Sequence, residues 1–284
     1  MQHEKKKYEL TDIKLNLVGK TLYRIRALRD FADVKKGDLG GWIESEKNLS
    51  HEGDCWVYDN GKVYDNAKIM NYATVSGNAV VYESAYVCDF SKIYGNAEVY
   101  GKVSISNHAM VFENARVGGT GSVTSHCEIY GDALVCGYSK IRGTAKIYGR
   151  AKIYDTSKIL ANAEVFGSAS IVHSTTIGAD GKISSTQDYV TIGPIGSRDG
   201  YTTVYKTYKG DVRIQCGCFN GTIRDFISKV RRTYSILSPY YKAYMTTIPY
   251  IKKWRKNIKK SHIIKKLNII SYIQKKYECE KGEK

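Results

Sequence analysis

Three histidines, His108, His126 and His173, are the side chains best suited to proton transfer near neutral pH in this 284-residue chain. His108 and His126 stand 18 residues apart, an interval that matters below. Cys216-x-Cys218 puts two soft ligands together, but a structural zinc site takes four. No second Cys or His pair lies near, so the pair reads as thiols and no metal or cofactor is expected. Gly193-x-x-Gly196-Ser197-Arg198 offers backbone N–H groups, a hydroxyl and a guanidinium to an anion such as a nucleotide phosphate. Its spacing matches neither the P-loop nor the dinucleotide fingerprint, so a tight structural turn is the favoured reading, with the anion pocket as the alternative. Lys252, Lys253, Arg255, Lys256, Lys259, Lys260, Lys265 and Lys266 form a basic run suited to phosphates of nucleic acid or of an anionic membrane. No base-reading motif accompanies it, which excludes sequence-specific recognition as the default.

The charge is localised. The chain has 44 Lys+Arg against 28 Asp+Glu, a net +16, yet residues 229–284 hold 16 basic and 3 acidic residues, so +13 of the total lies in that segment. The first 228 residues are nearly neutral and must be explained by their pattern. Seven scattered cysteines suit a reducing compartment better than a disulfide framework. There is no leader-like start and no apolar run of membrane-spanning length, so a soluble, cytoplasmic protein of a bacterial cell is expected.

The elements that must position these side chains follow from a repeat. Every sixth residue from Val57 to Ile183 is Val or Ile, at all 22 positions. Two residues earlier the chain carries Ala, Ser, Gly, Cys or Thr at each repeat except Val103, and two residues later Gly, Asp or Asn fills 15 of the 22 positions. A β-branched residue for the interior, a small one for the inner corner and a residue tolerant of positive φ for the bend describe a short strand that turns every six residues. Neither a helical nor a simple alternating template fits.

This pattern resembles the hexapeptide-repeat family of left-handed parallel β-helices, in which three hexapeptides make one triangular coil. The resemblance implies a period of 18 in the outward residues, and the sequence has one. One column reads Tyr58, Ser76, Tyr94, Phe112, Tyr130, Tyr148, Phe166; the next begins Tyr64, Tyr82, Tyr100; the third has no aromatic residue. His108 and His126 fall on a single corner column below Tyr72 and Phe90. The family includes many acyltransferases, trimers whose catalytic histidine lies between subunits, and for that activity His108 and His126 are the candidates. Against it stand the unbroken register, the lack of a protruding loop, and Tyr where transferase repeats carry Gly, Ala, Glu or Asp.

Val34 to Ile43, with Gly40-Gly41-Trp42, followed by Glu52-Gly53-Asp54-Cys55-Trp56-Val57-Tyr58-Asp59, is similar to the opening of uncharacterised β-helix proteins of enterobacteria, phages and prophages. Ile192 to Arg198, Thr202-Thr203-Val204-Tyr205 and Cys216-Gly217-Cys218-Phe219 resemble a C-terminal module of phage proteins from Gram-positive hosts. These resemblances imply a phage or prophage setting and no defined reaction.

The expected fold is all-β: a left-handed parallel β-helix of about seven coils over 55–186, after an N-terminal β cap at 1–54. A small ββα-like module at 187–235 and a basic amphipathic helical tail at 236–284 follow. In the module, strands are expected at Tyr189 to Gly193, Tyr201 to Tyr208 and Val212 to Cys216, then a helix capped by Thr222-x-x-Asp225. Within the tail, Tyr250 to Tyr277 reads as basic helix, able to lie along an aromatic face of the prism. The expected function is non-enzymatic: a scaffold that assembles as a trimer or dimer through Tyr58, Tyr94, Phe112, Tyr130, Tyr148 and Phe166. Its expected partners are a host protein or nucleotide-like ligand, or nucleic acid or anionic membrane through the tail.

Overall fold

The six-residue period becomes a stack of short strands joined by corners. The computed structural model describes residues 6–258, and Lys259, Lys260, Lys265 and Lys266 of the basic run lie outside them. Every Val and Ile of the repeat from Val57 to Ile183 is at most 2% exposed. Each strand pairs in parallel with the strand 18 residues on: Val57 with Val75, Val63 with Val81, Ile69 with Val87. Three hexapeptides therefore complete one turn, and three sheets form the sides of a parallel β-solenoid. Small residues at the inner corner, among them Ala67, Ala97 and Ala133, are fully buried. Two residues past each aliphatic, φ is positive at every repeat from Asp59 to His173, which is why Gly, Asn and Asp dominate there. Corner amides bond along the axis: Asn78 donates to Asn96, Asn96 to Asn114 and Asn114 to Asp132, at 3.2, 3.2 and 3.1 Å.

The solenoid is capped at its first end by its own sheet. Strands β1 (Tyr8–Leu17) and β2 (Lys20–Ala27) form a hairpin, and β3 (Leu39–Ile43) pairs antiparallel with β2 and parallel with the strand at Val63. The raw edge of the first coil is thereby paired. Leu22, Ile25 and Ala27 of β2 are buried. Ile43 sits opposite Val63 and Leu49 opposite Ile69, an interval two residues longer than the repeat. The bend at 51–54 absorbs those two residues and hides the first two rungs from a strict count of six. With them the solenoid has about eight turns.

Large side chains fill the end of the prism. Lys7 is wholly buried, its ammonium donating to the carbonyls of Gly53 and Cys55 at 3.1 and 2.8 Å and lying 5.2 Å from the Phe31 ring centre. Tyr8 stacks on His51 at 4.3 Å, and Trp56 meets Tyr8 and Phe31 edge-on. Burial pulls the Lys7 ammonium below its ordinary range and pushes the adjacent Cys55 thiol up.

Residues from Gln187 onward make a second compact unit. Four antiparallel strands, β4 (Tyr189–Ile195), β5 (Gly200–Lys206), β6 (Val212–Cys216) and β7 (Phe219–Gly221), are hydrogen-bonded in sequence order. Helix α1 (Ile223–Thr233) follows, its first turn closed by the expected box in which Asp225 N–H donates to Thr222 Oγ1 and Thr222 N–H to Asp225. A second helix, α2, is described over 239–258. Tyr244, Ile248 and Ile251 of α2 are buried with Val204, Ile214, Phe226 and Val230 in one core. Thus the start of the segment from Tyr250, expected as basic helix able to lie along the prism, gives Ile251 to the module's own interior, and Trp254 packs against it. The helix also runs through Pro249, although proline removes an internal hydrogen bond. Burying residues on both sides of Pro249 against the same core offsets that loss.

Candidate anion-binding site

An amphipathic helix has two faces, and the face of α1 opposite the core is basic. Ile223, Phe226 and Val230 point inward, while Arg224, Ser228, Arg231 and Arg232 are exposed. On α2 the residues flanking the buried Ile251 include Lys252, Arg255 and Lys256. The two helices bring these groups to one groove of about 810 Å³, lined by Arg224, Ser228, Arg231, Arg232, Lys252, Arg255 and Lys256, with Ile223 and Ile227 supplying an apolar floor. Arg255 pairs with Asp211 at 2.5 Å, and its Nε is buried with no hydrogen-bond partner among the described residues. Arg224, Arg231, Arg232, Lys252 and Lys256 have no carboxylate partner among the described residues. Five cations that make no close ion pair, with only Asp225 beside Arg224 to offset them, stand beside an apolar strip and make a concave surface of positive potential that can hold an anion. Ser228 and Arg232 also line a second recess of about 440 Å³ with Lys229, Cys218 and the carboxylate Asp225, so the basic field is bounded on that side by one acid.

Of the expected basic run, Lys252, Arg255 and Lys256 reach the groove. Lys253 is exposed and does not line it. Arg224, Arg231 and Arg232 were not singled out from the sequence. Their signal was available as helical spacing complementary to the stripe Ile223, Phe226, Val230.

The expected anion loop is the turn between β4 and β5. Asp199 N–H donates to the carbonyl of Gly196 at 3.3 Å, and Ser197 Oγ lies 3.3 Å from the Tyr234 hydroxyl. Gly193 precedes a cis peptide to Pro194, and Arg198 is exposed. Gly196 is buried under Tyr244, where an added Cβ would fall 2.1 Å from the phenolic oxygen. That contact explains the glycine structurally. Burial and the Cys216 thiol, 3.6 Å away, push the Tyr244 hydroxyl well above its ordinary range.

On the solenoid, Tyr72, Phe90, His108 and His126 form one corner stack, with ring centres 4.7, 5.0 and 4.7 Å apart. Neither imidazole has a carboxylate partner among the described residues, so nothing there orients a general base. His173 lies on another corner, its Nδ1 4.0 Å from Asp155. Tyr94, Phe112, Tyr130, Tyr148 and Phe166 form an unbroken ladder at 4.8, 4.8, 5.1 and 5.1 Å. Stacking leaves each ring only partly exposed, and burial pushes the hydroxyls of Tyr94, Tyr130 and Tyr148 upward. Tyr58 stands apart across Ser76 and donates to Asp33 at 2.6 Å. In the neighbouring column Tyr64, Tyr82 and Tyr100 stack at 5.3 and 5.5 Å, and the Tyr64 hydroxyl is raised by burial to about 12. That column ends where the Tyr100 ring covers Gly118. Among the described residues, no group of three His, Cys, Asp or Glu side chains could hold a metal ion.

No protein-family model matches the chain. Over 57 residues it is 46% identical to a protein of Escherichia coli (strain K12) named "Uncharacterized acetyltransferase YdcK". The match covers 20% of this chain and 16% of that protein.

Proposed function

We propose that the protein is a non-enzymatic β-helix scaffold whose C-terminal module captures phosphate-bearing anions in the groove between α1 and α2, in the phage or prophage setting that the sequence resemblance implies. The observation that carries this reading is the convergence in one groove of an apolar floor and five cations that make no close ion pair. Inorganic pyrophosphate is the simplest probe. The triple variant Arg231→Ala, Arg232→Ala, Lys256→Ala is expected to weaken its binding on the order of a hundredfold in calorimetry, since charge-assisted hydrogen bonds are the strong ones. These side chains are exposed and remote from the core, so the fold should survive. Equal affinity in wild type and variant would sink the reading.

A second reading, acetyl transfer, rests on the partial similarity to the acetyltransferase-named protein. It predicts acetyl-CoA binding that His108→Ala or His126→Ala abolishes. Our reading expects no heat of binding to the solenoid and no change on either substitution.

A further inference from the structure

Helices α1 and α2 are joined by a turn closed by backbone and serine hydrogen bonds. Ser238 N–H donates to the Ser235 carbonyl at 2.9 Å, Leu237 N–H to Ser235 Oγ at 3.4 Å and Tyr240 N–H to Ser238 Oγ at 3.2 Å. Tyr234 N–H closes the end of α1 on Val230, and Pro239 opens α2 where no backbone donor is needed. Such a turn normally carries polar residues. This one carries Ile236 and Leu237, 68% and 80% exposed, and Tyr240 beside them is 41% exposed. Two aliphatic side chains held outward gain nothing from the fold and expose apolar area to water. The chain flanks them with cations: Arg231 and Arg232 before, both lining the groove, and Lys242 after.

We propose that this helical hairpin docks on an anionic lipid bilayer, with Ile236 and Leu237 entering the acyl boundary and the groove cations holding headgroup phosphates. The proposal rests on the groove reading and assigns its phosphate to lipid. Apolar insertion combined with basic charge is the pairing that surface attachment requires, each term being marginal alone. No helix among the described residues is long and apolar enough to cross a membrane. Nucleic acid would account for the cations and for Tyr240 but not for Ile236 and Leu237, because aliphatic side chains offer bases no aromatic stacking face.

The test uses the full chain in vesicle co-sedimentation, with phosphatidylcholine alone or with about a third phosphatidylglycerol. Wild type should sediment with the anionic vesicles and stay in solution with the neutral ones. The tip variant Ile236→Ser, Leu237→Ser should lose vesicle affinity by about tenfold or more while binding pyrophosphate like wild type. The groove variant Arg231→Ala, Arg232→Ala, Lys256→Ala should lose both. A tip variant that sediments like wild type overturns the proposal and leaves the groove reading intact. So does a wild type that binds a single-stranded oligothymidylate but neither vesicle, since the phosphate then belongs to nucleic acid. A groove variant that still binds pyrophosphate overturns the underlying reading as well.

Discussion

Gly119→Ala is expected to destabilise the solenoid by about 4 kcal/mol, the sum of a left-handed backbone cost and an overpacking cost. Gly119 has φ +87°, and a Cβ there would fall 2.3 Å from the carbonyl oxygen and 2.6 Å from the nitrogen of Gly137 on the next coil. Both are backbone atoms, and the oxygen also belongs to the axial hydrogen-bond ladder, accepting from Thr120 N–H. Relief therefore means separating two coils. Gly101 sits above in the same situation, its Cβ position 2.4 Å from the Gly119 oxygen, so one corner runs through consecutive close approaches. Because each coil contacts only its neighbours, the damage should also divide the solenoid's unfolding into two steps. Urea denaturation followed by far-ultraviolet circular dichroism reads both effects. An unchanged midpoint would show that the corner can open freely.

Ile251→Ala should cost the C-terminal module about 3 kcal/mol, the usual loss for emptying a buried aliphatic site. Ile251 is fully buried among Tyr244, Ile248, Phe226 and Val230, with Trp254 at its margin to report the change by fluorescence. Ending the chain at Tyr234 should cost more, since it would uncover Val204, Ile214, Phe226 and Val230 together. Such a truncation, which looks like removal of a charged appendage, removes one wall of a core. If the module of the Ile251→Ala protein melts at the wild-type temperature, α2 is not integral to it.

These two positions also separate local sequence signals from those that arise only on folding. The prism was legible because its signal is local and repeated: Val57 to Ile183 keep one phase, and the 18-residue interval alone stacks His108 on His126 and Phe112 on Tyr130. Ile43 and Leu49 escaped because two inserted residues break that phase, although the backbone restores it at the next corner, where Gly53 lies against Asn71. The path of α2 through Pro249 was illegible because the local rule against proline yields to packing that only the folded core supplies. The groove was half legible. Lys252, Arg255 and Lys256 stood out as charge, whereas Arg224, Arg231 and Arg232 gain meaning only when a second helix lies beside the first.

The triangular section has a consequence for how this chain can vary in length. Gain or loss of 18 residues returns every side chain to its own face, so a whole coil of about 4.8 Å can be added or removed with ladder and core intact. Gain or loss of six preserves the buried aliphatics but rotates everything beyond by one side, bringing the column of Tyr94 and Phe112 into line with a different face. Length in this protein is quantised at one coil for the surface and at one third of a coil for the interior. Its surface columns therefore constrain insertions three times more tightly than its core does.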